Sequence, residues 1–126
     1  MKHYFLIALS LFAFVALGSW MAISLGLYNS YWYTDVILHV VAGAGFGFVW
    51  LALNHKIEKR RFILILGAAS FAVLGSVGWE LWEFVGWRIM SYDMPFYIPE
   101  LGDSLGDICC GLLGGVLSVM GKIRKG

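Results

Sequence analysis

Charge is what this chain has least of. Aspartate, glutamate, lysine and arginine make up 13% of its 126 residues, against about 25% in an ordinary soluble domain. That shortage excludes a water-soluble domain, because 60% of the residues are hydrophobic and too few polar groups remain to cover them. The net charge is only +1, which excludes the strongly basic balance of a nucleic-acid-binding protein. Cysteine is nearly absent too. The two cysteines, Cys109 and Cys110, are neighbours in an apolar run, so they form no disulfide framework. They also lack the usual spacing of a thiolate metal site and read as small packing residues. Both prolines, Pro95 and Pro99, fall in one connection, which leaves the rest free to be helical. No serine has an assigned base. Ser76 and Ser104 sit in apolar segments, where a serine usually bonds its own backbone.

Long apolar runs are abundant instead. A membrane-spanning helix needs about 20 mostly apolar residues, and four segments supply them: about 4–27, 35–53, 62–87 and 104–120. The expected fold is an all-α membrane protein, one domain over residues 1–126 built as a four-transmembrane-helix bundle. The fourth segment is the shortest and the richest in glycine. Lys2 precedes the first in the manner of a signal peptide. That run is too long for a signal core, however, and lacks a small-residue cleavage site, so it is read as a retained helix. Gly43 and Gly47, Gly102 and Gly106, and Gly111 and Gly115 are each four apart, a spacing that lets membrane helices approach closely.

Lysine and arginine set the expected orientation. Lys2, the connection with Lys56, Lys59, Arg60 and Arg61, and the tail with Lys122, Arg124 and Lys125 fall on one side. Arg88 alone falls on the other. Both termini are therefore expected in the cytoplasm, in a multi-pass protein of the bacterial inner membrane. The opposite side is aromatic, with Tyr28, Tyr31, Trp32, Tyr33 and Trp87, as suits amphipathic rings at a lipid–water interface. The Asp93–Pro99 segment between spans three and four reads as a connector or a short interfacial lid.

The few acids are placed where they cost most. Asp35, Glu80, Glu83 and Asp107, with His39, lie inside or at the mouths of apolar helices, and Asp103 stands one turn from Asp107. An ionisable group in hydrocarbon costs about 2.5–3.5 kcal/mol and marks a functional site by default. At 1.5 Å per residue, His39, Glu83 and Asp107 share a level about 6 Å inside the outer ends of their helices. Asp35 and Asp103 then lie above, and Glu80 lies about a turn deeper. Each pair is three or four residues apart and so shares a helix face. So many carboxylates need protons or a cation beside them. Within the chain only His39 and Arg88 are near, and a divalent metal would resolve the excess. Oxygen-rich ligands with one imidazole suit zinc, manganese, iron or magnesium without choosing among them. The plainer reading is a buried polar network that ties three helices together.

At these residues the chain resembles the VanZ-like family and related small, largely uncharacterised bacterial inner-membrane proteins. The resemblance rests on Asp35-Val36-Ile37-Leu38-His39, on Gly78-Trp79-Glu80-Leu81-Trp82-Glu83, and on the run from Asp107 to Gly114. It covers spans two to four. Gly111 stands where the family pattern has asparagine, and Glu83 where many relatives have glutamine. Some relatives are associated with glycopeptide-antibiotic tolerance, so the resemblance implies the bacterial envelope but names no reaction.

Three functions are compatible with the sequence. One is an envelope protein whose outer-leaflet pocket binds a divalent metal or a polar lipid headgroup, as in a metal-dependent hydrolase or transferase. Asp35, His39, Glu83, Asp103 and Asp107 are then the metal- or ligand-binding residues, and Glu80 and Glu83 the catalytic ones, with Glu80 a reserve general base. Its partners would be membrane lipids and a lipid-headgroup or envelope substrate, with a homo-oligomer left open and no nucleic acid. A second is a proton- or cation-coupled transporter using the same acids as a relay. Span three offers only Ser76 and Ser70 below Glu80, which leaves such a path without an inner half. The third is a structural or partner-binding protein.

Overall fold

A computed structural model describes residues 1–54, 60–88 and 101–125. It contains four long helices and one short one. These are α1 (Lys2–Ser24), α2 (Leu27–Ser30), α3 (Tyr33–Asn54), α4 (Arg61–Arg88) and α5 (Leu101–Lys125). No strand occurs among the described residues. The four long helices each hold a stretch of 22 to 26 residues long and apolar enough to cross a membrane. The protein is a four-helix membrane bundle.

The ends of the helices differ from expectation in two places. α1 stops at Ser24 instead of running on to residue 27, because Gly26 adopts a left-handed conformation (φ 65°). Glycine takes that turn without the clash a Cβ would bring, and it turns the chain into α2. α5, expected to be the shortest span, has 25 residues against 22 in α3. It includes residues 101–103, and Asp103 lies in its first turn, where a negative charge suits the helix dipole. The Asp93–Pro99 segment and the basic connection at 55–59 lie outside the described residues.

α5 is wedged between α3 and α4, and glycine is what lets it fit. A Cβ at Gly43 would strike the backbone of Gly111, and one at Gly114 would strike the carbonyl of Val40. One at Gly47 would meet the Ser118 hydroxyl and, at 2.8 Å, the Gly115 carbonyl oxygen. On the other flank, a Cβ at Gly111 would strike the Ser76 hydroxyl and one at Gly115 would lie 2.5 Å from the Ala72 methyl. Side-chain-free seams of this kind replace the hydrophobic drive that lipid does not supply. The pair Gly102 and Gly106 behaves differently: nothing lies within 4 Å of a Cβ at either. Both are exposed on the first turns of α5, away from the seam.

α1 is attached differently. Among the long helices its backbone lies close to α3 alone: among the described residues no Cα of α1 comes within 8 Å of one in α4 or α5. Its attachment runs through buried Ala8 and Ala22, through Phe12 against Gly45, and through Gly18 against Leu38. The result is a compact trio of α3, α4 and α5 with α1 leaning on one side. The end of the trio away from α2 is sealed by Leu51, Leu64, Ala68 and Val119. The end beside α2 is where the polar groups gather.

Candidate metal centre and the cavity beside it

Asp35 and His39 are one turn apart at the start of α3, so their side chains lie on one face. Asp107 is brought to them by α5, because the Gly43–Gly111 contact holds the two backbones together one turn further in. His39 Nε2 stands 3.5 Å from Asp35 Oδ1 and 3.6 Å from Asp107 Oδ2. Both exceed an ordinary hydrogen bond of about 2.7–3.2 Å, and one nitrogen faces both acids. His39 and Asp107 are each 7% exposed. One ligand atom from each of Asp35, His39 and Asp107 lies within 4.8 Å of the others.

These separations can be compared with a coordination sphere. Ligand atoms about 2.0–2.1 Å from a tetrahedral zinc ion lie about 3.3–3.4 Å apart. The two distances at His39 exceed that by a few tenths of an ångström, a gap that small side-chain rotations close. Three protein ligands with a fourth position open is the composition of a catalytic rather than a structural zinc site.

The other predicted residues surround this group without joining it. Glu83 is buried, and its Oε1 accepts a 2.7 Å hydrogen bond from the indole nitrogen of Trp79, one turn earlier on α4. Glu80 and Asp103 lie within electrostatic reach of Asp35 and Asp107. One carboxylate oxygen of Glu80 is buried without a hydrogen-bond partner among the described residues, which in a native protein calls for a proton, a water or an ion. Arg88 is exposed at the end of α4. Ser10 and Ser70 each donate to the carbonyl four residues earlier, as expected of serine in an apolar helix.

The structure adds an element that the spacing of the acids did not indicate. A cavity of about 750 Å³ lies between α1, α3 and α4, and Asp35, His39 and Glu83 are in its wall. Its deepest residues on α1 and α3, Phe12 and Phe46, meet edge to face with centroids 5.0 Å apart. Toward α2 the wall carries Trp20, Tyr28, Trp79 and Trp82. Tyr28 shares a hydrogen bond with Ser19, and burial, with the charges of Asp35 and Glu83 adding to it, pushes its phenol above the usual value. Its hydroxyl therefore stays protonated at neutral pH. The one signal in the sequence for this wall was tryptophan near an acid, Trp79 four residues before Glu83. Nothing in the sequence tied α1 to the site.

No curated protein and no solved structure matches the chain. A family described as "Predicted membrane protein (DUF2238)" matches residues 1–125, essentially the whole length. That agrees with a small, uncharacterised membrane family and does not single out the VanZ-like one. The chain belongs to the DUF2238 family of predicted membrane proteins.

Proposed function

We propose that this is a multi-pass protein of the bacterial inner membrane that binds a divalent metal at Asp35, His39 and Asp107. In this reading the metal faces an outer-leaflet pocket that admits a polar lipid headgroup, and the pair serves a metal-dependent hydrolysis or transfer. The observation that carries it is the three-residue group, with His39 and Asp107 buried, Asp35 half-buried one turn above His39, and its ligand atoms within 4.8 Å of one another. The concentration of lysine and arginine at the opposite ends of the spans supports the orientation. The likeness of the acidic motifs to the VanZ-like family supports an envelope setting.

Each residue has a role that follows from its place. Asp35, His39 and Asp107 would hold the cation, which polarises a phosphoryl or carbonyl oxygen in its open position. Glu83 reaches the cavity and is held in one orientation by Trp79. It is the better placed general base: it takes the proton of an attacking water or alcohol and returns it to the leaving group. Glu80, deeper and with an unpartnered oxygen, would hold a proton or tune the charge of the group. Asp103 would add attraction for the cation at the mouth.

Elemental analysis of the purified protein beside His39→Ala and Asp107→Asn tests the reading. Wild type is expected to carry a divalent metal in stoichiometric amount, and both variants to lose it while remaining helical. Equal metal in all three, or none in wild type after dialysis against zinc or manganese, overturns it.

A further inference from the structure

The cavity has three properties that a metal site alone does not need. First, it is long and greasy. On α3 its wall runs from Asp35 to Phe46 and on α1 from Phe12 to Ile23, about 16 Å along each helix axis at 1.5 Å per residue. That is about half of the roughly 30 Å hydrocarbon thickness of a bilayer, the depth of one leaflet's chains. Second, it has a side toward the bilayer. α1 and α4 both line it, yet no Cα atoms of the two helices come within 8 Å among the described residues, which leaves a way in between their side chains. Third, its head end pairs acids with aromatic faces. Trp20, Trp79 and Trp82 are 67%, 40% and 53% exposed around it, and Glu83 is fixed beside Trp79.

We propose that the cavity takes a membrane lipid with an amine-bearing head, which enters sideways between α1 and α4. Its hydrocarbon chain lies against Phe12 and Phe46, and its ammonium group sits among Glu83, Trp79 and Trp82. The inference deepens the reading above and rests on its headgroup half, not on the metal. Chain and head are both argued from the wall. The chain fits because the wall is apolar for one leaflet's depth, and about 750 Å³ is the size of an ordinary ligand pocket. The head is cationic because the acids in the cavity wall are Asp35 and Glu83, and Glu83, beside Trp79, lies outside the proposed metal group. Indole rings attract ammonium groups through their negative faces.

Photolabelling decides it. The full chain is placed in vesicles containing either phosphatidylethanolamine or phosphatidylglycerol with a diazirine on one acyl chain. After irradiation the adducts are mapped by mass spectrometry. The ethanolamine probe is expected to mark Ala42 and Ser76 inside the cavity, as well as the lipid-facing Leu17 and Leu74. Cavity labelling by the ethanolamine probe should exceed that by the glycerol probe about tenfold, the ratio that about 1.4 kcal/mol of cation–aromatic and charge attraction gives. Glu83→Gln should shrink that ratio and leave the Leu74 adducts unchanged. Adducts confined to Leu17 and Leu74 overturn the lipid cavity, and equal cavity labelling by both probes overturns the amine preference. Metal content measured on the same preparation keeps the two readings apart. Metal without cavity adducts defeats only the lipid, and cavity adducts in metal-free protein defeat only the metal.

Discussion

Gly43 and Gly106 are both glycines on apolar helices, yet their surroundings are opposite. A methyl at Gly43 would collide with the backbone of Gly111, whereas a methyl at Gly106 meets nothing within 4 Å. Backbone cannot rotate out of the way as a side chain can, so Gly43→Ala is expected to cost about 1–3 kcal/mol, the range for overpacking a tight core. Gly106→Ala should be neutral or stabilise by up to about 1 kcal/mol through better helix propensity. Thermal unfolding of both variants in the same detergent checks this; equal shifts would show that α3 and α5 are not joined at this seam. At this scale the sequence was legible where chemistry depends on spacing. Asp35 and His39, four apart, do share a face, and counting residues from the helix ends did place Asp107 opposite His39. It was less legible where a residue's meaning depends on a partner. Gly111 departs from the resembled pattern, and only the assembled bundle shows that a Cβ there would force the Ser76 hydroxyl to move. The Gly102–Gly106 pair has the packing spacing without a helix to pack on.

Among the elements, α1 was the hardest to place. Its composition marks it as a span, but it is apolar on all sides, so no stripe distinguishes the face toward α3 from the face toward lipid. Helices α3 and α5 declare their mutual faces through glycine, and α1 carries only Gly18, against Leu38, as a comparable signal. Its part in the cavity wall was therefore invisible before the helices were assembled. The orientation of the elements across the membrane is a separate matter that charge alone addresses. The distribution of lysine and arginine predicts that a fluorescent protein fused after Gly126 glows and that alkaline phosphatase fused there is inactive, as for a cytoplasmic end. The reverse pattern would put the acidic group on the cytoplasmic face and remove the outer-leaflet setting from the proposed function.

On the scale of the whole molecule, three observations meet at one end of the bundle. A glycine seam brings α5 close enough to α3 for Asp107 to reach His39. α4 adds Glu83, pinned by Trp79. α1 keeps its backbone more than 8 Å from that of α4 among the described residues, and the cavity lies between them. Five of the eight acids, Asp35, Glu80, Glu83, Asp103 and Asp107, gather where three helices and a cavity converge, and a cation is the simplest way to balance them. Zinc K-edge absorption on the purified protein loaded with one equivalent of zinc tests that claim most directly. A first shell of oxygen and one imidazole nitrogen at about 2.0–2.1 Å is expected, with the imidazole scattering lost in His39→Ala. A shell with sulfur at about 2.3 Å, the mark of Cys109 or Cys110, or a spectrum unchanged by His39→Ala, would contradict it.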